Sequence, residues 1–309
     1  MLLGLDLLDN LHLVIDGNYF LHLSIPYNPK DAVGPHVASY NFFSSLAQWS
    51  TRLSARSVTV CWDSNGAPEK RYRLCPTYKT NGVSPKTEKE RMRLQDFNRN
   101  REFLKTQILP YIGVRQLCVN KFEADDLIFG ISKSWRGDVI ILTADKDLLQ
   151  LVSSSTYFLT PGKEKISEAN ISSVLLDDNY DIRPRKASDI IGFKGMRGDR
   201  SDNIPAVLKP RAVSRIWTLL RESNLDASIT NIRKMAESDG IQIQPGLENN
   251  FEVVDLARSG VAGDAIGYAL QSASTSISVN ESILFDNLLA VGIQPGYVHK
   301  LVPSFYFLK

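Results

Sequence analysis

The stretch Asp138–Asp147 reads DVIILTADKD, and its pattern indicates the fold class of the chain. Four consecutive apolar residues, three of them β-branched, predict a short strand buried on both faces, as in a parallel sheet. Similar runs occur at Leu11–Ile15, Ser57–Trp62, Val114–Val119 and Thr156–Leu159. Helical patterns alternate with these runs, which predicts βαβ units and a mostly parallel, twisted sheet with helices on both faces over residues 1–180.

Helical periodicity fills the gaps between the runs and dominates after residue 180. The first set of predicted helices is Val37–Leu53, Thr87–Ile108, Ala124–Trp135 and Lys146–Val152. The second set is Arg185–Gly192, Ala212–Glu222, Ala227–Ser238, Glu248–Arg258, Asp264–Gln271 and Ser282–Val291. Residues 181–309 are therefore predicted to form a smaller, helical domain.

Composition places the chain among globular proteins. Its 309 residues are 43% hydrophobic and 23% charged, enough for a packed core and two domains. No apolar run reaches the 18 or so residues of a membrane span, and the N-terminus lacks the pattern of a secretory leader. The expectation is a soluble, cytoplasmic protein without membrane contact. The three cysteines and four histidines show no zinc-site or catalytic-triad spacing.

Positive charge is concentrated in two segments. Glu69–Arg115 holds twelve Lys or Arg against five Asp or Glu, and Arg183–Arg221 holds ten against three. The rest of the chain is correspondingly acidic. This separation is typical of proteins that bind a polyanion, although solvated helix faces would give the same counts. Residues 65–105, which overlap the first of these segments, have few apolar side chains and are predicted to form a basic excursion from the core.

Carboxylates follow the predicted strands. Because ligands of parallel sheets bind beyond the carboxyl ends of the strands, these side chains are expected at one edge. They are Asp16, Asp63, Glu123, Asp125, Asp126, Asp145 and Asp147. Any one of them could be a helix N-cap, but seven like charges in one cleft repel each other unless a cation is present. Oxygen ligands at this density suit Mg²⁺ or Mn²⁺.

The helical half contributes GDRSDNIP, residues 198–205. Asp199 and Asp202 are three residues apart, so both can face the same point on one helical turn. As an isolated motif it could be a surface loop. Together with the seven acids it predicts a second lobe that closes over a shared cation site.

In this order the motifs resemble the flap endonuclease family of 5′-nucleases, which includes the nuclease domain of bacterial DNA polymerase I. The phage type is most similar, in particular the RNase H of T-even bacteriophages. The resemblance covers residues 14–205 and rests on VIDGN (Asp16), WD (Asp63), EADD (Glu123, Asp125, Asp126), TADKD (Asp145, Asp147) and GDRSDNIP (Asp199, Asp202). It implies a PIN-like sheet, 5′–3′ exonuclease and flap endonuclease activity, and products with a 5′-phosphate and a 3′-hydroxyl.

The resemblance also implies roles for individual residues. Asp16, Asp63, Glu123, Asp125 and Asp126 would surround a first divalent cation, and Asp145, Asp147, Asp199 and Asp202 would hold or orient a second one. Lys79 and Arg71 would contact the scissile phosphate, and Tyr78 would stack on a base. The alternative is that these three belong to a solvated basic loop. Other basic residues would bind nucleic acid: Lys70, Arg73, Lys86, Lys89, Arg91, Arg93, Arg197, Arg200, Lys209, Arg211 and Arg215.

One departure from the family concerns the hairpin after DNIP, which commonly binds a potassium ion and the duplex backbone. Here residues 206–211 read AVLKPR and lack the glycines that such a hairpin tends to need. No potassium site is therefore expected, and Lys209, Arg211 and Arg215 would anchor a duplex in a variant helix-turn-helix.

The implied substrates are 5′-flap, nicked or forked DNA and RNA/DNA hybrids, as in primer removal during replication. A single-strand DNA-binding protein and a sliding clamp are implied partners. Met1–Leu11 or Val302–Lys309 could be the clamp peptide, or could pack on the core. A monomer is the simplest expectation, in the host cytoplasm if the protein is phage-encoded.

Two other functions remain open. PIN-type endoribonucleases share the acids at a sheet edge but use fewer of them and lack the GDxxDN lobe. A scaffold that binds forked DNA, with structural cations and no hydrolysis, would also account for the charges.

Overall fold

A parallel β-sheet organises the first half of the chain. The computed structural model describes residues 10–26, 34–80, 87–293, 295–306 and 308. Within them, five strands pair in the order β3-β2-β1-β4-β5. They are β1 (His12–Asp16), β2 (Ser57–Cys61), β3 (Arg115–Leu117), β4 (Val139–Leu142) and β5 (Thr156–Leu159). Every predicted strand is present, and the order reverses between β1 and β4, which opens a crevice at their carboxyl ends.

The strands are buried because helices cover both faces. Leu13 and Ile15 of β1 face one hydrophobic core, and Val14 between them faces the other. The two polar residues of β1 are at its ends, and at the first of them His12 Nε2 lies 2.9 Å from Thr59 Oγ1. Burial, followed by the nearby Arg115, lowers the pKa of His12 to about 3, so the ring is neutral at physiological pH.

The helices of the α/β part are α1 (Gly17–Ser24), α2 (Val37–Arg52), α3 (Glu69–Leu74), α4 (Glu88–Phe103) and α5 (Ala124–Ser134). Three of them, α2, α4 and α5, follow the predicted positions, whereas α1 was not predicted and α3 lies in the segment predicted to be a basic excursion. α4 begins with a capping box between Thr87 and Glu90 and continues into a π-helical turn at Leu104–Ile108. The stretch predicted as a helix after β4 is instead a 3₁₀ helix, Lys146–Leu151.

A separate hydrophobic core belongs to the helical lobe, by which we mean residues 182–254. Its helices are α6 (Asp189–Arg197), α7 (Pro210–Glu222), α8 (Ile229–Ser238) and α9 (Leu247–Val254). Ile216, Trp217 and Ile232 lie in this core. α6 ends at Gly198, whose φ is +65° and which lies so close to the backbone of Ile204 that a Cβ there would clash.

The last part of the chain returns to the α/β part, so the predicted boundary at residue 180 is wrong for it. Its helices are α10 (Ala262–Ser274), α11 (Glu281–Ala290) and α12 (Pro295–Val298). α10 lies on α5, where Gly130 approaches the backbone of Ala265 so closely that no Cβ fits. Leu284 and Leu288 of α11 enter the core that Leu13 and Ile15 face, next to the π-helical turn Leu104–Ile108. The helical patterns of these segments were visible in the sequence, but their packing partner was not.

Phe305 stacks on Phe43 of α2, with ring centroids 5.6 Å apart, and is buried. This part of Val302–Lys309, the C-terminal candidate for a clamp peptide, therefore packs on the core, which was the alternative prediction for this segment. Most of the N-terminal candidate, Met1–Leu11, lies outside the described residues. Within the described part of the chain, no helix is both long enough and apolar enough to cross a membrane.

Candidate metal centre

Asp16 lies at the centre of the acidic crevice because it is the last residue of β1, next to the point where the strand order reverses. It caps α1, with Oδ1 accepting from the Tyr19 amide at 3.1 Å, and Oδ2 accepts from Thr143 Oγ1 at 3.0 Å. Burial, with a contribution from Asp63, raises the pKa of Asp16 to about 6. The carboxylate is thus held in one orientation and is costly to ionise without a cation.

Asp63 follows β2 and is fixed from two sides. Its Oδ1 accepts from the amide of Ala124 at the start of α5 at 2.8 Å, and Oδ2 accepts from Asn18 Nδ2. A carboxylate at a helix N-terminus is stabilised by the free amides and the helix dipole. The two contacts connect α1, β2 and α5 around one carboxylate.

Asp125 and Asp145 complete what we call the sheet-edge group: Asp16, Asp63, Asp125 and Asp145. Asp125 lies in the first turn of α5. Burial, then repulsion by Asp145 and Asp16, raises the pKa of Asp125 well above its ordinary value. Asp145 follows β4, where its amide donates to Thr143 Oγ1 at 3.1 Å. The mutual repulsion indicates that the four carboxylates face one crevice, as predicted from the strand ends, although among the described residues no three of these four have oxygens within 4.8 Å of one another.

Glu123 and Asp126 face a different partner. Arg71 of α3 is 3% exposed, and its guanidinium pairs with Glu123 and with Asp126, at 2.9 Å from Asp126 Oδ1. Its Nε donates to the Val253 carbonyl of α9 at 3.3 Å. Burial disfavours the charge of Arg71, but the two carboxylates more than offset this and raise its pKa. The predicted contact of Arg71 with the scissile phosphate is not supported, because its donors are occupied inside the protein.

Tyr78 is also buried, so its predicted stacking on a base is not supported. Its hydroxyl donates to Glu123 Oε2 at 3.0 Å. Burial and the charge of Glu123 raise the pKa of Tyr78, which keeps the proton on the hydroxyl. Asp126 accepts from Arg71 and, through Oδ2, from the Glu123 amide at 3.1 Å. Glu123 and Asp126, predicted as cation ligands, therefore anchor α3 and the following turn to α5.

Lys79 is the most exposed of the three residues predicted to contact the substrate. Its Nζ pairs with Glu123 and lies 3.8 Å from Asp202 Oδ1, while 41% of the side chain remains exposed. Burial lowers the pKa of Lys79, but the charge of Glu123 raises this pKa by more. The net change is a rise, so the ammonium stays charged. At Glu123, burial raises the pKa of the carboxyl, but the charges of Arg71 and Lys79 outweigh burial and lower it. The Lys79 amide also donates to the Asp202 carbonyl at 2.9 Å.

A second set of acids, the lobe group, comprises Asp147, Asp199 and Asp202. Carboxylate oxygens of the three lie within 4.8 Å of one another. Asp147 comes from the 3₁₀ helix after β4, whereas the other two come from the loop after α6. The loop is held by paired backbone hydrogen bonds between Asp199 and Ile204, of 2.9 and 2.8 Å. The predicted approach of GDRSDNIP to the acids after β4 is thus present.

Lys194 of α6 lies within the lobe group, and sequence reasoning missed it. Its Nζ is 2.5 Å from Asp147 Oδ1 and also pairs with Asp199. Burial, with Asp145 and Asp199, raises the pKa of Asp147 to about 7 in spite of this lysine. Lys194 outweighs burial at Asp199 and lowers its pKa. No sequence signal marks Lys194, whereas Thr143 and Asn18 could have been found, because both adjoin the predicted acidic motifs.

The predicted nucleic-acid-binding residues lie in two regions. Exposed side chains on α3 and α4 include Arg73, Lys89, Arg91 and Arg93, and those at the lobe loop and α7 include Arg200, Lys209, Arg211 and Arg215. Four of the predicted set pair with acids: Lys70 with Glu252, Arg91 with Glu88, Arg197 with Asp177 and Arg215 with Asp239. Lys86 lies outside the described residues. Val207 and Leu208, at the position of the family hairpin, are buried in the lobe core.

A family model for 5′–3′ exonucleases, their N-terminal resolvase-like domain, matches residues 10–176. The chain belongs to the 5′–3′ exonuclease family. The 5′–3′ exonuclease of Buchnera aphidicola is 32% identical over 154 residues, 47% of this chain and 51% of that protein. DNA polymerase I of Thermus aquaticus is 31% identical over 205 residues, 65% of this chain and 22% of the polymerase. The chain thus spans about half the length of the first relative and about a fifth of the second.

Solved structures share the fold of this family member. Bacteriophage T5 5′-exonuclease with bound zinc superposes with a TM-score of 0.60 at 18% identity, covering 94% of this chain and 99% of the phage protein. Human GEN1 in complex with Holliday junction DNA gives 0.54 at 14% identity, covering 95% of this chain and 71% of GEN1. The predicted PIN-like α/β fold is confirmed. Particular similarity to the RNase H of T-even phages stays a prediction.

Proposed function

We propose that this protein is a metal-dependent, structure-specific 5′–3′ exonuclease and flap endonuclease that hydrolyses phosphodiesters near 5′ ends. The observation that carries the proposal is the meeting of the sheet-edge group and the lobe group at the carboxyl ends of β1 and β4. Membership of the 5′–3′ exonuclease family supports the reaction class. Phosphodiester hydrolysis by this chain, its substrates and its partners are proposed here.

The residues present fit divalent cations. All seven side chains of the two groups offer carboxylate oxygens, the ligands that Mg²⁺ and Mn²⁺ prefer. Burial, and after it repulsion between carboxylates, raises the pKa of Asp16, Asp125 and Asp147, and a bound cation would relieve both effects. The sheet-edge group would hold one cation and the lobe group the other. When bound, such ions lower the pKa of a coordinated water and polarise the phosphate.

The protein's own contribution would be to position these ligands and the substrate. Thr143 and Asn18 orient Asp16 and Asp63 by hydrogen bonds, so ligand geometry is set before a cation arrives. Lys79 would release Glu123 in part and place its exposed ammonium on the scissile phosphate, where negative charge develops. Arg71 would keep this segment attached to α5.

The exposed basic residues would bind the nucleic-acid backbone. Those on α3 and α4 would line the passage of a single-stranded 5′ end, and those near α7 would follow the duplex. Phosphate contacts of this kind carry little sequence information and weaken as salt rises. Selectivity would then come from the shape of a junction between a free 5′ end and a duplex. The T5 and Rad2 relatives in fold are themselves solved with DNA.

The finer aspects of function follow from the family resemblance and are proposed with it. These are removal of RNA primers from DNA, a phage origin, action on RNA/DNA hybrids, and partnership with a single-strand-binding protein and a clamp.

Cleavage of three labelled substrates in Mg²⁺ tests the proposal. A 5′-flapped DNA, an RNA primer on DNA, and free single-stranded RNA would be digested by the wild type and by Asp125→Asn. We expect cuts near the 5′ junction of the first two, leaving a 5′-phosphate, with cutting strongly reduced in Asp125→Asn and none in EDTA. Preference for free RNA would favour a PIN-type endoribonuclease. Binding of the flap without cleavage would favour a scaffold, and either result would contradict the proposal.

A further inference from the structure

The lobe group contains a cation of the protein's own, the ammonium of Lys194. It lies 2.5 Å from Asp147 Oδ1 and pairs with Asp199, and those two acids belong to the set whose oxygens lie within 4.8 Å of one another. In the described residues, no lysine or arginine forms an ion pair with the sheet-edge group. The two groups of acids therefore differ in how their negative charge is balanced.

Lys194 reaches Asp147 across the contact between the helical lobe and the α/β part. It is on α6 of the helical lobe, whereas Asp147 is on the 3₁₀ helix that follows β4. Its side chain is 19% exposed, and those of Asp147 and Asp199 are 18% and 9% exposed. At such limited exposure, charges attract more strongly than in open solvent. A divalent cation bound between Asp147 and Asp199 would be repelled by an ammonium left in place.

Space for another position of Lys194 adjoins the acids. A cavity of about 280 Å³ is lined by Lys194, Asp199, Asp177 and Arg197. Asp177 offers a carboxylate there, with Arg197 3.8 Å from its Oδ2. A flexible lysine chain can turn from one carboxylate to another by rotamer changes. The cavity thus offers the ammonium of Lys194 both space and a carboxylate, that of Asp177, with which it could pair.

We infer that Lys194 occupies the position of the second divalent cation in the metal-free protein and turns into the adjoining cavity when that cation binds. The inference rests on the proposed metal-dependent function and concerns the regulation of that site. Lys194 keeps the lobe attached to the sheet before loading and makes the lobe group the weaker of the two cation sites. Loading of the second cation is thereby coupled to a local rearrangement of α6.

Manganese binding to variants tests this directly. Electron paramagnetic resonance of free Mn²⁺ would count bound ions in the wild type, Lys194→Gln and Lys146→Gln. Lys146 lines the same cavity but donates to the Leu175 carbonyl, so it is the matched control. We expect Lys194→Gln to bind the second Mn²⁺ about tenfold more tightly, since a competing charge is gone. Unchanged or weaker binding in Lys194→Gln, or equal tightening in Lys146→Gln, would overturn the inference.

A measurement on the wild type covers the case in which Lys194→Gln does not fold. Reductive methylation with mass spectrometry would compare Lys194 labelling with and without Mg²⁺. We expect labelling of Lys194 to rise severalfold on metal binding as it leaves the two acids. Equal or lower labelling would overturn the inference. If flap cleavage is absent while Lys194→Gln still tightens Mn²⁺ binding, the proposed function fails and the lysine's role stands.

Discussion

The sheet-edge group and the lobe group both consist of aspartates, but the two groups differ in how the aspartates are positioned and in how their charge is balanced. Asp16 and Asp63 come directly from strand ends and are oriented by Thr143 and Asn18, all within the α/β part. The lobe group forms by docking of α6 and its loop, with Lys194 between the acids. The carboxylates of the sheet-edge group are thus held in place without an ion-pair partner among the described residues, whereas Lys194 balances part of the negative charge of the lobe group.

This difference predicts an order of events at the site. A cation gains most where repulsion is unrelieved, so the sheet-edge group should bind first and more tightly. The lobe group should bind later and control whether the second ion is present. Segment 69–80 connects the two, because Arg71 is anchored to α5 and Lys79 lies near Asp202.

The largest expected effect is that of Asp125→Asn, which removes a charge from the centre of the sheet-edge group. Turnover on a flap substrate should fall by about 1,000-fold, since each cation supplies several kcal/mol of charge stabilisation in the transition state. Single-turnover kinetics at saturating Mg²⁺ would measure it. Asp264→Asn, an exposed carboxylate on α10, is the isosteric control. Similar losses in both variants would remove Asp125 from the site.

Next in size is Arg71→Met, which acts on the segment that joins the groups. It leaves Glu123 and Asp126 buried without their partner, so the free energy of unfolding should drop by about 3 to 5 kcal/mol. Urea denaturation would measure the change. Arg73→Met, on the exposed side of the same helix, should change it by about 0.5 kcal/mol or less. If Arg71→Met changed the free energy of unfolding little but strongly reduced turnover, the result would favour the predicted contact of Arg71 with the scissile phosphate.

Lys79→Ala distinguishes binding of cations from catalysis between the two groups. Turnover should fall by about 100-fold, because one preorganised donor to the phosphate is lost. Affinity for Mn²⁺ should change far less, since Lys79 is not a ligand. The exposed Lys234→Ala on α8 is the control for a lost surface charge. Unchanged turnover in Lys79→Ala would exclude it from the mechanism.

The smallest effect concerns pH. Asp16 and Asp147 have raised pKa values of about 6 and about 7, so the folded metal-free protein holds protons that the unfolded chain has lost. Their contribution to stability is present below pH 4 and is lost as pH rises through 6 and 7. A cation must displace these protons, so the rise in Tm with Mn²⁺ should be several degrees larger at pH 8 than at pH 5.5. An equal rise at both values would contradict the assigned ligands.

The sequence predicted those parts of the fold and of the site that depend on the geometry of the strands. The strands, and Asp16, Asp63 and Asp145 beyond their ends, follow from apolar runs and the rule for parallel sheets. The burial of Arg71 could not be predicted, because a basic segment of low hydrophobicity resembles a solvated surface until its ion-pair partners are known. Lys194 has no local pattern, since its contacts arise from docking of α6. The return of α10 to α5 depends on a close approach at Gly130 that helical periodicity does not encode.

Diffraction from crystals containing Mn²⁺, recorded at a wavelength where manganese scatters anomalously, tests the central claim most directly. The account predicts one strong peak among Asp16, Asp63, Asp125 and Asp145, and a second, weaker peak among Asp147, Asp199 and Asp202 with Lys194 turned away. Peaks elsewhere on the protein, or none in the acidic crevice at saturating Mn²⁺, would contradict it.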